Sequence, residues 1–304
     1  MNIYIKTFNR PFYLERCIKS IKFNVKEFDK IIILEDGTLS KYQDKLLVKY
    51  PDIVIRKSNA DDEKFNLLKE ERFDEIEKRY IQPWQFWVNE ISKEKSDYFF
   101  LLEDDTWVVR QLNLGNIENN MAFHNGVILQ TWWAPNAGEI LPYSKYKFPD
   151  GNVLQYFHPD IKQISSLYQI WLLCMAVYEK NYYLNNSRNL KRTWDEHTQL
   201  LQAIEFMMKN PDATFSKTQE KAVYQGWATP GRATPEYYDM GLRFHLYMEC
   251  LNEAWYRDEL DVMEGYPFDF PYEYILAFLE KYLSEKSVDA WKRWRKNEVT
   301  FNYD

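Results

Sequence analysis

The 304-residue sequence has few cysteines and no long apolar segment. Cys17, Cys174 and Cys250 are odd in number and far apart, which fits neither a disulfide framework nor a zinc cluster and favours a reducing, cytosolic setting. The longest uncharged apolar segment, 170–178, is far shorter than the roughly 20 residues that cross a bilayer. Residues 1–7 look like a strand and not like a signal peptide. We therefore expect a cytoplasmic protein, soluble or peripheral at the inner face of the membrane.

Acidic and aromatic side chains are in excess. The formal net charge of -7 and the pI near 5.4 argue against a basic polynucleotide groove spread over the whole surface. Aromatic residues make up 17% of the chain while the mean hydropathy is -0.59. This pairing indicates a folded protein with aromatic-lined surfaces or grooves and argues against disorder. The length suits one large domain or a domain with an appendage.

The most informative segment is 98–105, where five apolar residues lead directly into Glu103, Asp104 and Asp105. The apolar run predicts a buried strand that delivers the three acids to the end of a sheet. Adjacent carboxylates repel one another unless a cation or hydrogen-bond donors lie beside them, and Mg²⁺ typically shares one or two carboxylates with substrate phosphates. The segment therefore predicts a metal and diphosphate site, with an acidic loop after a core strand as the alternative.

Strands and helices alternate along the first 109 residues. This order predicts an α/β fold with a mostly parallel sheet covered by helices on both faces. Ligands of such sheets collect beyond the carboxyl ends of the strands, so segments 7–10, 35–38 and 103–106 are expected to converge. The charged stretch 57–79 is interpreted as a solvated loop and helix. The predicted elements are strands at 3–7, 30–34, 53–55 and from 98, and helices from 11, at 39–50 and at 84–91.

The second half is less regular. A strand is predicted at 126–131 and a buried strand at 170–178, separated by a long polar and aromatic connection at 132–158 whose length is typical of a functional loop. A helix is predicted at 195–208. Helical spacing recurs from about residue 237 to the end and predicts a helical C-terminal appendage.

Three ordered motifs resemble the opening of family 2-type glycosyltransferases of the GT-A fold: IYIKTFNRP at 3–11, LERCIKSI at 14–21 and IIILEDGT at 31–38. The acids at 103–105 lie where that family keeps its DxD motif. The resemblance extends more weakly through 171–178 and 193–196 to about residue 230. It implies a GT-A-like catalytic domain over 1–236, with a nucleotide-sugar-binding half (1–109) and an acceptor half (110–236), followed by a helical extension over 237–304.

The same resemblance implies a metal-dependent enzyme that moves a sugar from a nucleotide sugar, with a UDP-sugar favoured, to an acceptor hydroxyl with inversion. Asp105 would hold Mn²⁺ or Mg²⁺ on the donor diphosphate. The remaining donor-binding residues implied are Thr7, Asn9 and Arg10 near the base or diphosphate, Asp36 near the nucleoside, Glu103, which with Asp105 would flank the ribose and metal, and Asp104.

Inverting transfer needs a general base beside the acceptor hydroxyl, and Asp195 and Glu196 are the two candidates. The sequence Thr193-Trp194-Asp195-Glu196 also fits a capping box, in which Glu196 returns to the backbone of Thr193 and Asp195 becomes the better base. A retaining mechanism stays open. Many relatives carry a late histidine as a metal ligand, where this chain has Gln225, and His245 lies further on.

The acceptor is expected over the long connection, where aromatic rings could stack on sugar faces. A surface polysaccharide or lipid-linked glycan is the first expectation, and a modified DNA base, as in phage-type glycosylation, is the alternative. The basic and aromatic segment 291–296 could contact DNA or an anionic membrane, and Arg232 could reach the diphosphate. Non-enzymatic nucleotide or carbohydrate binding stays open, whereas a nucleotidyltransferase would need a glycine-bearing phosphate loop that 7–11 lacks. The aromatic candidates are Trp132, Trp133, Tyr143, Tyr146 and Tyr156.

Overall fold

The computed structural model describes residues 1–132, 142–149, 151–157, 159, 167–192, 195–229 and 241–302. Within these ranges the strands are Ile3–Thr7 (β1), Val25–Lys26 (β2), Ile31–Glu35 (β3), Val54–Lys57 (β4), Tyr98–Glu103 (β5), Thr106–Val108 (β6), Leu112–Asn113 (β7), Gly126–Gln130 (β8), Ser144–Lys147 (β9), Val153–Phe157 (β10), Ala176–Glu179 (β11), Thr214–Thr218 (β12) and Val223–Gln225 (β13). The helices are Pro11–Asn24 (α1), Ser40–Lys49 (α2), Asp62–Lys69 (α3), Phe73–Arg79 (α4), Pro83–Ile91 (α5), Leu114–Phe123 (α6), Leu167–Ile170 (α7), Lys180–Asn186 (α8), Glu196–Lys209 (α9), Phe244–Tyr256 (α10), Tyr272–Tyr282 (α11) and Glu285–Asn302 (α12).

One large sheet runs through the described part of the chain, in the order β4-β3-β1-β5-β11-β8-β12-β10-β9. Only β11 and β10 are antiparallel to both of their neighbours, so seven of these nine strands point the same way. Helices flank the sheet. The predicted α/β class with a mostly parallel sheet is confirmed.

The first half of the sheet follows directly from its sequence. β1 and β3 are buried along their whole length, and β5 along all but its last residue, which is typical of central parallel strands. The register places Ile5 between Ile33 and Leu102. Helix α1 begins at Pro11, whose fixed φ suits a first helical position. These strands and helices lie within a residue or two of their predicted positions.

The second half departs from the prediction at two places. The connection 132–158 contributes β9 and β10, which form the far edge of the sheet, although residues 133–141, 150 and 158 lie outside the described part. Of the apolar run 170–178, only the end is strand, because β11 begins at Ala176. Met175 adopts φ 61°, a left-handed conformation that no strand continues.

The predicted helical C-terminal part is also confirmed, and it shares the hydrophobic core of the sheet. Arg16 of α1 lies between the rings of Trp107 and Phe270, at 4.2 and 4.5 Å from their centroids. Its guanidinium donates to the carbonyl oxygens of Val262 and Glu264, both at 3.0 Å. The buried guanidinium of Arg16 therefore connects the segment between α10 and α11 to α1.

The helices of the described residues include none that is both long enough and apolar enough to cross a membrane.

Candidate active site

The loops that follow β1, β3 and β5 meet at the carboxyl edge of the sheet. Asn9 donates its backbone N–H to Thr38 Oγ1 at 2.9 Å, which joins the loops after β1 and β3. Thr7 donates its hydroxyl to Asp104 Oδ2 at 2.8 Å, which joins β1 to the end of β5. The three predicted segments therefore converge as expected, and charged side chains from each of them line the edge.

Asp104 is an anchor inside the site. Its carboxylate is fully buried, accepts hydrogen bonds from Thr7 Oγ1 and from Phe8 N (3.2 Å), and forms an ion pair with Arg10. Buried carboxylates are tolerated when donors of this kind surround them. Asp104 thus holds the loop after β1 in place and has little surface left for a ligand.

Asp105, the next residue, differs from Asp104 in that one of its carboxylate oxygens is available to a ligand. Oδ2 accepts from Arg10 Nη1 at 2.8 Å, whereas Oδ1 is buried and has no hydrogen-bond partner among the residues that the structure describes. Burial raises the pKa of Asp105 to about 7; Arg10 opposes the shift, and the charges of Asp104 and Glu103 add to it. A buried carboxylate oxygen without a donor is suited to a cation.

The described residues do not provide an all-protein metal cage. In the described ranges no three His, Cys, Asp or Glu side chains are grouped so that they could hold an ion. Mg²⁺ and Mn²⁺ are commonly held by one or two carboxylates together with substrate phosphates and water. The unpartnered Oδ1 of Asp105 fits that arrangement as the single protein ligand.

Glu103 is held by a buried lysine. Lys6 Nζ lies 2.8 Å from Glu103 Oε1 and also donates to Leu173 O at 3.1 Å. Burial alone would raise the pKa of Glu103, but Lys6 and Arg10 outweigh it and lower the pKa. Glu103 is therefore ionised at neutral pH. It faces the side of the sheet on which Lys6 lies 4.6 Å from the ring of Trp87.

Asp36 is held in place by residues of the segment 57–79, which was predicted to be a solvated loop and helix. Its Oδ1 accepts from Ser58 Oγ at 2.8 Å, and its Oδ2 lies 2.5 Å from Lys64 Nζ. The stretch 57–79 forms α3 and α4, and α3 buries Lys64, Phe65 and Leu68, so the solvated interpretation is wrong for this helix. The apolar pair Phe65 and Leu68, three residues apart, was the available signal.

A cavity of about 450 Å³ opens beyond the carboxyl ends of β3 and β4. Its lining includes Thr38, Gln43 and Lys57, together with the acidic residues Asp61, Asp62 and Glu63. Gln43 donates to Glu35 Oε2 at 3.2 Å, while its own Oε1 is buried and lacks a hydrogen-bond partner in the part of the chain described. The wall of the cavity therefore carries both donors and acceptors, with an excess of carboxylates.

Asn9 lies inside the loop and not on its surface. Its side chain is fully buried and its backbone adopts φ 49°, a left-handed conformation that asparagine tolerates better than most residues. Its carbonyl oxygen accepts from Asn252 Nδ2 of α10 at 2.8 Å. Asn9 thus fixes the conformation of the loop that carries Arg10. Since the Asn9 side chain is buried, other atoms of this loop would have to make the predicted contact with a nucleotide.

The two candidate bases lie at the start of α9. The helix begins at Glu196, and Asp195 is its N-cap, accepting from Thr198 N at 3.3 Å and from Lys191 N at 3.2 Å. The capping box would instead have placed the cap at Thr193, which lies outside the described residues together with Trp194. Slight burial of Asp195 is outweighed by these hydrogen bonds, which lower its pKa.

One turn into α9, Gln199 lines a narrow cleft together with Lys6, Trp84 and Trp87. Lys6 is the partner of Glu103, so Gln199 of α9 lies near the residue that holds Glu103. Asp195 and Glu196 do not line this cleft, and Asp195 is engaged in capping its helix.

The other predicted residues are scattered. Gln225 pairs with Thr106 across β13 and β6, next to Asp105. His245 is buried on α10, where burial and nearby Lys69 lower its pKa to about 4, so it is neutral. Arg232 and Trp133 lie outside the described residues.

The aromatic candidates divide between surface and core. Tyr143 and Tyr146 are exposed, and Trp132 lies beside Lys221. Tyr156 is fully buried and donates to Asn120 Oδ1, so as an acceptor platform it is excluded. In the segment 291–296, Trp291, Trp294 and Arg295 are buried, which removes them from any surface for DNA or membrane.

No family model matches the chain, and no curated protein matches it. Among solved structures, S. aureus TarS 1-349 is 9% identical, with 99% of this chain and 92% of that chain covered at a TM-score of 0.44. The same fragment in complex with UDP is 8% identical at a TM-score of 0.45, and in complex with UDP-GlcNAc 9% identical at 0.46, each over 99% of this chain and 92% of that chain. The function of this chain has to follow from its own site residues.

Proposed function

We propose that the chain is a cytoplasmic glycosyltransferase that moves a sugar from a nucleoside-diphosphate sugar, preferably a UDP-sugar, to an acceptor hydroxyl. The observation that carries this proposal is the ion pair of the partly buried Arg10 with the buried Asp105 at the carboxyl edge of the sheet. A diphosphate is bound by donors and cations, and a guanidinium fork is well suited to its oxygens. The resemblance of segments 3–11 and 31–38 to family 2-type GT-A enzymes supports the same conclusion.

The residues have distinct roles in this proposal. Asp105 would hold Mn²⁺ or Mg²⁺, and the bound ion would supply positive charge that stabilises the departing nucleoside diphosphate. Arg10 donates to diphosphate oxygens, and its charge offsets the repulsion between Asp104 and Asp105. Glu103, kept ionised by Lys6, faces the ribose, and Asp36 orients the nucleoside.

Residues 1–236 form the catalytic domain and 237–304 the helical extension in this proposal. The first 109 residues bind the donor, and 110–236 face the acceptor. We favour a polysaccharide or lipid-linked glycan as the acceptor, because exposed Tyr143 and Tyr146 offer flat surfaces to sugar rings. Transfer with inversion then requires Asp195 or Glu196 to take the acceptor proton.

A thermal-shift screen tests the donor class. UDP, GDP, CMP and their sugars are each added with and without Mn²⁺, at about 100 times the dissociation constant, where a ligand stabilises the fold by about 2.7 kcal/mol. We expect one nucleotide to raise the melting temperature by several degrees, and only with the metal. An unchanged melting temperature with every nucleotide would contradict the proposal.

Two conservative substitutions identify the base. Asparagine caps helices about as well as aspartate, so Asp195→Asn should leave the melting temperature nearly unchanged. If Asp195 takes the proton, this variant should lower kcat by roughly 100-fold or more, whereas Glu196→Gln should not. The opposite pattern would assign the role to Glu196. Wild-type kcat in both variants would show that neither residue is the base.

A further inference from the structure

A short segment beside the candidate site is held in place by contacts with the C-terminal part of the chain. Residues 226–229, called here the exit segment, follow β13, which pairs with the strand directly after Asp105. Gly226 donates its N–H to Asp105 O at 2.7 Å. On its other side, Trp227 N donates to Asp269 Oδ2 at 2.7 Å, and Ala228 N donates to Tyr13 Oη at 2.6 Å. The exit segment therefore links Asp105 to Tyr13, near the start of the chain, and to Asp269, near its end.

Asp269 is the centre of this link. Its side chain is 5% exposed, and both of its oxygens are in use. Oδ1 accepts from Tyr13 Oη at 3.1 Å and from Phe270 N at 2.8 Å, while Oδ2 accepts from Trp227 N and from Arg295 Nη2 at 3.2 Å. Four donors around one buried carboxylate fix its position closely.

The exit segment cannot shift without disturbing these contacts. A Cβ on Gly226 would lie 2.4 Å from Tyr13 Oη and 2.6 Å from its ring, so only glycine fits against Tyr13 there. Trp291 of α12 donates its indole N–H to Ala228 O at 2.9 Å. The segment is therefore bonded to the acidic turn on one side and to α1 and α12 on the other.

We propose that Asp269 is a positioning residue for the donor site: it fixes the exit segment and, through Gly226, the backbone that carries Asp105. This inference rests on the proposed role of Asp105. A displacement of about 1 Å at a reacting or binding group can lower activity by about 100-fold, so a contact that acts only through a backbone can matter. The helical C-terminal part then completes the donor site.

The test uses the full chain and the variant Asp269→Asn, which keeps the shape and removes the charge that faces Arg295. Glu15→Gln is the matched control. Glu15 is also a buried carboxylate, accepting from Trp255 Nε1 at 2.5 Å and Tyr50 Oη at 3.0 Å, and it pairs with Lys49 of α2, so these partners lie outside the exit segment. Trp291→Phe is the second variant, since it removes the donor to Ala228 O and part of a buried ring but keeps an aromatic side chain.

Three quantities are measured in each protein: the melting temperature, the hydrogen exchange of a peptide covering 226–229, and the dissociation constant of Mn²⁺ in the presence of UDP. For Asp269→Asn we expect exchange at least 10-fold faster and Mn²⁺ binding at least 10-fold weaker, with changes of about 3-fold in Trp291→Phe. Glu15→Gln should lower the melting temperature and leave the other two quantities unchanged.

Two different failures can be told apart. Wild-type protein without Mn²⁺-dependent UDP binding would overturn the proposed donor site, and this inference with it. Wild-type binding that Asp269→Asn retains in full, or that Glu15→Gln weakens equally, would overturn the positioning role alone.

Discussion

Asp105→Asn should abolish metal-dependent nucleotide binding and lower turnover by roughly 100-fold or more, yet make the fold more stable than wild type at pH 8. Burial raises the pKa of Asp105 to about 7 in the folded protein, above its ordinary value. The folded wild type therefore binds an extra proton between about pH 4 and pH 7, and its free energy of unfolding falls as the pH rises through this window. Asparagine is neutral throughout and avoids this loss.

The measurement is urea unfolding of wild type and Asp105→Asn at pH 5 and pH 8, together with Mn²⁺ titration at pH 8. The stability gained by the variant should grow from pH 5 to pH 8, and the full window from pH 4 to pH 7 corresponds to a difference on the order of 4 kcal/mol. Metal binding by wild type should itself strengthen as the pH rises through about 7, because the carboxylate must be ionised. A pH-independent difference, with metal binding retained, would contradict the assignment.

Asp104→Ala should have the opposite effect on the fold, lowering the free energy of unfolding by about 3–5 kcal/mol. The substitution leaves the hydroxyl of Thr7, the N–H of Phe8 and one side of the Arg10 guanidinium without their acceptor inside the protein. Buried donors without partners are costly, and so is a buried cation that loses one of its counter-charges.

Asp105→Ala is the matched control, because the side chain of Asp105 accepts from Arg10 alone among the described residues. It should lose much less stability in the same urea titration. Equal losses in Asp104→Ala and Asp105→Ala, or none in the former, would be inconsistent with the different roles assigned to these adjacent acids.

The first half of the fold could be predicted because its strands are apolar runs separated by clear helical periodicity. The same pattern brought Thr7, Asp36 and Glu103 to one edge. The sequence could not show that Asp104 is bound within the protein while Asp105 is available to a ligand. That difference depends on the direction in which each side chain points at the end of β5. Lys64 was missed because charged neighbours conceal the short apolar face of α3.

The second half shows where local pattern fails. The apolar run 170–178 correctly indicates that these residues are buried, but it does not determine their backbone conformation. Only its last part joins the sheet, as β11. At the head of α9 the same residue types serve for capping and for proton transfer, so Asp195 and Glu196 could not be separated. Asp269 and Trp227 are 42 residues apart in the sequence, so no local pattern of apolar and polar residues could predict their contact.

Hydrolysis of nucleotide sugars without acceptor is the most direct measurement of whether this chain is a transferase. Nucleoside diphosphate release is followed for a panel of UDP-, GDP- and CMP-type donors, with wild type and Asp105→Asn, with and without Mn²⁺. We expect slow release from one nucleotide sugar by wild type, dependent on the metal and reduced at least 100-fold in the variant. No release from any donor, or equal release by both proteins, would contradict a metal-dependent glycosyltransferase site at Asp105.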